Sequence, residues 1–163
     1  MSIPASLPVR HILLTYVATP WEEKVLLLVA RFARAMRAKL TVIHVVQIPP
    51  RQPVDAPDPE ALEQAEEILA RAEALAQRER VQIDSDVIQA RDAGYAVVET
   101  ARQLEVDVLV AAGAWSAQHP QLPVGETAAY LLRHAPCPVW LVCEPPGDLP
   151  PVDAPLDKGD WNA

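Results

Sequence analysis

The segment Asp107–Glu144, DVLVAAGAWSAQHPQLPVGETAAYLLRHAPCPVWLVCE, decides the fold of this chain. An apolar run near its start and a second one at Val139–Cys143 have the length and composition of buried strands. Between them a loop follows Gly113, and a helical pattern begins at Gly125 or Glu126. The segment therefore predicts a strand, a loop, a helix and a strand, and a loop in this position can hold a phosphate where the helix begins.

The same alternation of strand and helix extends back to the start of the chain. Apolar and β-branched runs predict earlier strands at Ile12–Val17, Thr41–Ile48, Val81–Ala90 and Val108–Ala112. Helical patterns separate these runs, and each begins after a residue suited to capping, namely Thr19, Asp58 and Asp92. Strict alternation implies an α/β fold in three layers, in which helices cover both faces of an open parallel sheet.

The first helix has the most specific start signal. Thr19 is followed by Pro20 and, three residues after the cap, by Glu22, which is the pattern of a capping box. The apolar residues spaced three or four apart along this helix predict its buried stripe, which comprises Val25, Val29, Phe32 and Met36.

The chain divides into one domain and a tail. Its 163 residues can form a single core, and the predicted elements fill residues 1–144. Residues 145–163 contain five prolines and four aspartates, a composition that favours a flexible tail.

Composition excludes several classes of function. A net charge of -8 and a pI near 4.9 argue against a nucleic-acid partner, which needs a basic face. No apolar run approaches the length of about 20 residues that spans a membrane, so we expect no membrane insertion. The start of the sequence has no apolar signal core, and we expect a cytoplasmic protein. Its two cysteines, Cys137 and Cys143, are predicted to be buried packing residues.

Three segments in the right order resemble the universal stress protein family. They are LTVIHVVQIPP at residues 40–50, EVDVLVAAG at 105–113 and HAPCPVWLV at 134–142, of which the last is the most specific. The resemblance covers roughly residues 10–144. It implies a five-stranded sheet of the adenine-nucleotide α-hydrolase-like type, with strand order 3-2-1-4-5 and a site at the carboxyl ends of strands 1 and 4.

The resemblance also implies a role and partners. Members of this family commonly form homodimers through their last strand, which here is Pro138–Glu144, with Trp140 as a candidate interface residue. We therefore expect a regulatory or interaction module of the stress response, with a homodimeric assembly and a protein client as its partners. The sequence contains no identifiable catalytic set and no metal-ligand spacing, so we expect neither an enzyme nor a metal site.

The family's nucleotide-binding loop is altered in this chain. In nucleotide-binding members a glycine and, after two residues, a second glycine precede nine residues, a third glycine and a hydroxyl residue. Here a serine takes the place of the second glycine, eight residues follow, and a glutamate takes the place of the hydroxyl. The first strand ends in valine where the family has an aspartate. The candidate residues of this degenerate cleft are Val17, Val45, Gly113, Ser116, Gly125, Glu126 and Thr127.

These departures predict weak or absent ATP binding and no required cofactor. Ser116 cannot adopt glycine's backbone conformations without strain, and Glu126 places a negative charge where a helix would attract phosphate. Three interpretations stay open for Glu126: it caps its own helix, it contacts a metal ion, a ribose or another small ligand, or ATP still binds through the backbone amides of Gly113, Gly125 and Thr127. The alternative function is a sensor of ATP or AMP that uses the altered loop. A ligase of the same superfamily ranks last, because Ala18–Trp21 replaces the glycine- and serine-rich loop it would need.

Overall fold

The structure is a computed structural model that describes residues 8–53, 58–113 and 125–145. Five strands alternate with four helices in this part of the chain, as the sequence predicts. The elements are β1 His11–Thr15, α1 Pro20–Met36, β2 Lys39–Gln47, α2 Pro59–Arg78, β3 Asp84–Ala90, α3 Ala93–Gln103, β4 Val108–Gly113, α4 Gly125–His134 and β5 Val139–Cys143. The predicted tail lies outside the described residues beyond Pro145.

The five strands form one parallel sheet in the order β3-β2-β1-β4-β5. Ile12 of β1 pairs with Leu40 of β2 on one side and with Val108 of β4 on the other. This confirms the expected strand order and the open α/β fold. The order of the strands along the chain reverses between β1 and β4, and the crevice outside their carboxyl ends is where open α/β sheets bind ligands.

The predicted caps explain where the helices begin. The backbone N–H of Glu22 donates to the hydroxyl of Thr19 at 3.2 Å, while the Glu22 carboxylate accepts from the N–H of Thr19, which completes a capping box. Asp58 accepts from the N–H of Ala61 at the start of α2. At the start of α3, Asp92 accepts from the N–H of Tyr95. Each cap satisfies an amide that the first helical turn leaves without a partner.

The helices cover the two faces of the sheet in pairs. Alternate residues of β1 point to opposite faces, so Ile12 and Leu14 pack against α1 and α2, whereas Leu13 packs against α3 and α4. The central strands are buried on both faces, which is why their sequences are continuous apolar runs rather than alternating ones.

The predicted buried stripe of α1 is partly wrong. Val25 and Val29 are buried, but Phe32 and Met36 are 45% and 37% exposed. The residues that α1 turns towards the sheet are Val25, Leu26, Val29, Ala30 and Ala33. Phe32 instead lies at the side of the helix, where its ring meets the ring of Trp140 in β5 edge-to-face, with centroids 5.9 Å apart. It stays partly exposed because β5, the strand it contacts, is the outermost strand on this side.

Candidate functional site

A depression of about 490 Å³ lies beside the carboxyl ends of β1 and β4. It is formed by the turn after β1, the first turn of α1 and the end of β4. Glu144, the residue after β5, forms another part of its lining. Its lining residues are Val17, Thr19, Pro20, Trp21, Glu22, Ala112, Gly113 and Glu144. Two of the predicted site residues, Val17 and Gly113, are therefore brought together here.

The Glu22 carboxylate accepts hydrogen bonds from backbone amides at the turn between β1 and α1. One oxygen of its carboxylate accepts from the N–H of Val17 at 3.1 Å and from the N–H of Thr19 at 3.0 Å. Ala18, between these two residues, has a left-handed backbone with φ 63°, which allows both N–H groups to point at one acceptor. Because an internal anion already holds these donors, an incoming phosphate would have to displace a carboxylate or approach beside it.

Trp21 forms a wall of the depression and ties it to the outermost strand. Its indole N–H donates to the backbone carbonyl of Val142 at 3.1 Å. This side chain is half-buried and packs against the core on the α1 face. The bulky ring therefore stands between the start of α1 and β5, where it reduces the space beside Gly113.

Gly113 has a packing role in addition to its place in the loop pattern. A Cβ atom at this position would lie 3.1 Å from the sulfur of Cys143 and 3.4 Å from Cδ1 of Leu141. The small residue therefore lets the end of β4 lie close against β5. Since packing alone accounts for this glycine, its presence is no independent evidence for a bound phosphate.

Four of the other predicted site residues do not line the depression. Gly125 begins α4 with φ 74°, a conformation that glycine adopts without strain. Glu126 is exposed in the first turn of that helix, and Thr127 is half-buried. Val45 lies within β2, where it pairs with Ile88 and is half-buried. Ser116 lies outside the described residues.

The electrostatics of the depression disfavour an anion. Two of its lining side chains are carboxylates, Glu22 and Glu144, and none of its described lining residues is lysine or arginine. Glu126 places a third carboxylate in the first turn of α4. The positive ends of α1 and α4 are thus each accompanied by an acidic side chain, which is the favourable arrangement for the helix itself.

His44 and Tyr16 lie near the carboxyl end of β1, and the Tyr16 hydroxyl is buried with no hydrogen-bond partner among the described residues. Nδ1 of His44 lies 2.8 Å from the carbonyl oxygen of Tyr16, so this half-buried ring has a hydrogen-bond partner in the backbone. Burial raises the pKa of Tyr16 to about 12, with a further contribution from the nearby Glu23 carboxylate. A phenol with so high a pKa does not lose its proton near neutral pH.

One histidine–hydroxyl pair is present at the opposite end of the sheet. Nε2 of His11 lies 2.8 Å from the hydroxyl of Thr41, near the amino ends of β1 and β2. Thr41 is almost fully buried, so the pair joins two neighbouring strands rather than presenting a nucleophile.

The two cysteines differ in their exposure. Cys137 is half-buried, and burial raises the pKa of its thiol, as expected for a packing residue. Cys143 is exposed, which corrects the prediction that both are buried, because it lies on the outermost strand. Within residues 8–53, 58–113 and 125–145, no three histidine, cysteine or acidic side chains are grouped in a way that could hold a metal ion.

Sequence reasoning missed the two most informative residues of the depression. It used Glu22 only as part of a capping box, although a capping box placed directly after a strand also puts a carboxylate at the carboxyl end of that strand. No signal in the sequence identified the contact between Trp21 and Val142, because it joins residues that are 121 positions apart.

Among the described helices, none combines the length and the apolar composition needed to cross a membrane.

The chain is similar in structure to several solved proteins. A universal stress protein from Archaeoglobus fulgidus in complex with dAMP aligns with a TM-score of 0.65 and 18% identity, covering 84% of this chain and 98% of that one. A universal stress protein in complex with cAMP aligns with a TM-score of 0.69 and 18% identity, over 83% and 97% of the two chains. UspA from Lactobacillus plantarum aligns with a TM-score of 0.61 and 22% identity, over 84% and 99%. At these identities the similarity establishes the fold.

A family model gives the more specific result. No curated protein matches the chain significantly. The model described as the universal stress protein family, however, matches residues 8–142, which includes every strand and helix described above except the last residue of β5. The chain therefore belongs to the universal stress protein family.

Proposed function

We propose that this protein is a non-enzymatic, homodimeric regulatory or interaction module of the stress response, cytoplasmic, with weak or absent ATP binding. The observation that carries the proposal is the position of Glu22, whose carboxylate holds the N–H groups of Val17 and Thr19 at the carboxyl end of β1. The site that a nucleotide would use in this fold is thereby supplied with an internal anion.

Repulsion between the carboxylates of the depression and a bound phosphate determines how strongly ATP binding is weakened. A phosphate charge about 5 Å from a carboxylate is opposed by roughly 3 kcal/mol at an effective dielectric of 20, before screening by salt. ATP carries several such charges, and both Glu22 and Glu144 line the depression. Adenine stacking and ribose contacts would have to offset this repulsion before any net affinity appeared.

The absence of catalysis is supported by the partners of the titratable groups. His44 is bonded to a backbone carbonyl, and His11 is paired with the hydroxyl of a buried threonine. Among the described lining residues of the depression, the one hydroxyl side chain is that of Thr19, which accepts from the N–H of Glu22 as a helix cap. A binding or regulatory role therefore fits the chain better than a hydrolase or a ligase does.

The alternative function is a nucleotide sensor, which is favoured by the ligands of two similar proteins and by the volume of the depression. Two structurally similar universal stress proteins were solved with dAMP and cAMP, which carry a single phosphate. A volume of about 490 Å³ also falls in the range of ordinary small-molecule sites. A monophosphate would meet less repulsion than ATP, so AMP or a cyclic nucleotide is the ligand to which this alternative applies.

Calorimetric titration of the full chain with ATP and Mg²⁺ tests the proposal. We expect no saturable heat, whereas a dissociation constant in the low micromolar range would contradict weak binding. Glu22→Gln tests whether the charge of this side chain opposes ATP binding, because it keeps the acceptor of the capping box and removes the charge. Glu60→Gln is the matched control, because Glu60 occupies the first turn of α2, away from the depression. Titration with AMP under the same conditions tests the alternative.

The proposed homodimer is supported by the character of β5. Among the described residues this strand has one neighbour in the sheet, and the segment Pro138–Cys143 contains no charged residue. An open edge without charge tends to pair with another strand, and pairing with a second copy removes that edge from solvent. Trp140, at the edge, is 36% exposed in the single chain. Sedimentation velocity of the full chain should give twice the monomer mass of 17.8 kDa, and a monomer at micromolar concentration would contradict this part of the proposal.

A further inference from the structure

The edge of β3 that faces away from β2 lies between two grooves, one on each face of the sheet. The α3 groove, of about 550 Å³, is lined by β3, α3 and the neighbouring strand β2, and includes Asp86, Tyr95 and Glu99. The α2 groove, of about 360 Å³, is lined by β3 and α2, and includes Glu66 and Glu73. Neither groove shares a lining residue with the depression beside β1 and β4, so they are a separate feature of the molecule.

We propose that this edge of β3 binds an extended segment of another protein that is rich in lysine or arginine. The segment adds to the five-stranded sheet as a further strand and places its alternate side chains in the two grooves. Addition of a strand to an open edge is a common mode of peptide recognition, in which backbone hydrogen bonds provide affinity and side-chain pockets provide specificity. The inference rests on the interaction role proposed above and gives it a partner of stated chemistry. It depends neither on the depression nor on the pairing of β5.

The backbone of β3 shows which groups are open to such a strand. The carbonyl of Ala90 accepts from the N–H of Ile48 at 2.9 Å, so Ala90 faces β2. Because backbone groups alternate in direction along a strand, the even-numbered residues of β3 face β2 and the odd-numbered ones face away from it. Those facing away are Ser85, Val87 and Gln89. Within the described residues no strand lies beside them, so their N–H and C=O groups can pair with an added strand.

The two grooves lie where the side chains of an added strand would point. Val87 packs with the core on the α1 and α2 face, and Ile88 packs with the core on the α3 and α4 face. Successive side chains of a neighbouring strand would alternate between the same two faces. The seven residues of β3 span about 20 Å, so a partner segment of about six residues would cover the edge.

The α3 groove carries an excess of negative charge. Its carboxylates are those of Asp84, Asp86 and Glu99. The one cation among its described lining residues is Lys39, which pairs with Asp84 at 2.7 Å. Glu99 pairs with Arg102 on α3, whereas Asp86 forms no ion pair within the described part of the chain. A basic side chain in this groove would supply Asp86 with an ion-pair partner.

The α2 groove has the same sign of charge. Glu66 and Glu73 line it together with Asp86, and none of its described lining residues is lysine or arginine. Glu73 accepts from the hydroxyl of Ser85 at 2.5 Å, which holds its carboxylate beside the strand. Asp86 lines both grooves, so its carboxylate lies at the edge between them. Acidic side chains on both faces therefore complement a strand that carries basic side chains.

The α3 groove also suits the long stems of basic side chains. Its apolar lining includes Ile43 and the half-buried Ile88. Tyr95 borders the groove from α3 and is 56% exposed. Lysine and arginine pack their methylene groups on apolar surface and place their charge over aromatic rings. Carboxylates, apolar side chains and an exposed ring in one groove therefore favour these two residue types.

The same charges disfavour other partners for this edge. A second copy of β3 would bring Asp84 and Asp86 close to carboxylates of the same kind, and like charges on paired strands are destabilising. A nucleic acid would meet these carboxylates with its phosphates. The acidic residues thus make the edge selective, because they oppose most strands and attract a basic one.

Binding is tested with a labelled peptide of about eight residues that alternates lysine and valine. Fluorescence anisotropy with the full chain at low salt should show saturable binding, which weakens as salt is added because exposed charges are screened. A peptide with glutamate in place of lysine should not bind. Absence of saturable binding of the lysine peptide would contradict the inference.

Pairing through the backbone is tested with two further peptides, N-methylated at every lysine or at every valine. Only one edge of the added strand can face β3, so one methylated peptide should lose roughly 10-fold or more in affinity while the other binds like the parent. Hydrogen exchange measured by NMR should slow at the outward amides of Val87 and Gln89 more than at those of Asp86 and Ile88. Equal binding of both methylated peptides would mean that the grooves take organic cations without strand pairing, against the inference.

The role of charge is tested by Asp86→Asn, which removes the carboxylate shared by both grooves. Asp86 is exposed, so the fold should be kept, as checked by circular dichroism. We expect the dissociation constant of the lysine peptide to rise about 3-fold, the effect of one exposed ion pair. Glu67→Gln is the matched control and should leave this constant unchanged. Glu67 is exposed, lines neither groove and lies one turn before Arg71, whose side chain reaches Glu23 of α1.

The outcomes separate this inference from the proposed function. Equal effects of Asp86→Asn and Glu67→Gln would show that the peptide responds to the net charge of the chain, which contradicts a site at β3. A lysine peptide that fails to bind also contradicts the inference. Neither result changes the ATP titration or the sedimentation measurement, which test the proposed function independently.

Discussion

The two outer strands of the sheet, β3 and β5, have the same backbone environment, but β3 carries charged side chains and β5 carries none. Each has one neighbouring strand and one open edge. The start of β3 carries Asp84, Ser85 and Asp86, of which Asp84 pairs with Lys39 at 2.7 Å and Ser85 donates to Glu73 at 2.5 Å. The strand β5 reads Val-Trp-Leu-Val-Cys and has no charge. Charged residues at an edge are a known protection against unwanted pairing, so β3 is protected and β5 is not.

The neighbouring helices follow the same division. The side of α2 near β3 contributes Glu66 and Glu73 to the surface beside that strand. The side of α1 near β5 presents Phe32 and Met36 instead. Because strand and helix agree at each edge, the difference is a property of two surfaces. This difference supports the proposed pairing through β5, because charges disfavour the association of like strands at the β3 edge and none do so at the β5 edge.

The largest effect is expected when a charge is placed on β5. Leu141→Asp puts a carboxylate into a half-buried position that packs against the α3 and α4 core. We expect a loss of about 3 kcal/mol in the free energy of unfolding, together with loss of the dimer. Urea unfolding and sedimentation velocity measure the two effects.

The reciprocal change on β3 is the control for that prediction. Asp86 is exposed, so Asp86→Leu should alter the free energy of unfolding by no more than about 0.5 kcal/mol. If the two substitutions had equal effects on stability, or if Leu141→Asp left the dimer intact, the two edges would not differ as described.

An intermediate effect is expected from the support beneath β5. Gly94→Ala in α3 would place a methyl group 2.9 Å from three carbon atoms of Tyr130, including its Cβ, so α4 must shift. Overpacking of this kind destabilises by about 1–3 kcal/mol, which exceeds the gain of about 1 kcal/mol from replacing glycine in a helix. Thermal unfolding should show a lower midpoint for this variant. A variant as stable as the wild type would show that α4 is free to move relative to α3.

The smallest expected effect is the pH dependence of stability that His11 contributes, which depends on charges near β3. Burial, followed by the nearby Lys39 ammonium, lowers the pKa of His11 below 6.5, whereas the Asp84 carboxylate opposes this shift. A histidine with a lowered pKa in the folded state binds its proton more readily after unfolding. The stability it contributes is therefore present above pH 6.5 and is lost as the pH falls through that value towards the folded pKa.

Asp84→Asn should sharpen this pH effect. Removing the carboxylate takes away one of the groups that oppose Lys39, while the Leu104 backbone and Asp107 still oppose it, so the pKa of His11, followed by NMR of its imidazole proton, should fall further. Leu141→Asp is remote from His11 and should leave that pKa unchanged. An increase in the pKa in Asp84→Asn would contradict the assignment of these charges to the surroundings of His11.

Much of the fold follows from local sequence signals. The predicted bounds of β5 agree with the structure, and Thr19, Asp58 and Asp92 cap the helices as expected. These features depend on neighbours a few residues away. The strand order came from the family resemblance, because alternation alone fixes a parallel sheet but does not rank its strands.

The errors arose where tertiary position decides the outcome. Periodicity correctly found that Phe32 and Met36 lie on an apolar side of α1, but it could not tell that this side faces the last strand rather than the core. Cys143 is exposed for the same reason. The second role of Glu22 depends on the turn at Ala18, whose left-handed backbone is unusual for a residue other than glycine and has no local signal.

Native mass spectrometry of the full chain, purified without added nucleotide, tests the whole account in one measurement. We predict a species of twice 17.8 kDa whose mass leaves no room for AMP, ADP or ATP. A monomer, or a species that carries nucleotide in proportion to the number of chains, would contradict the account.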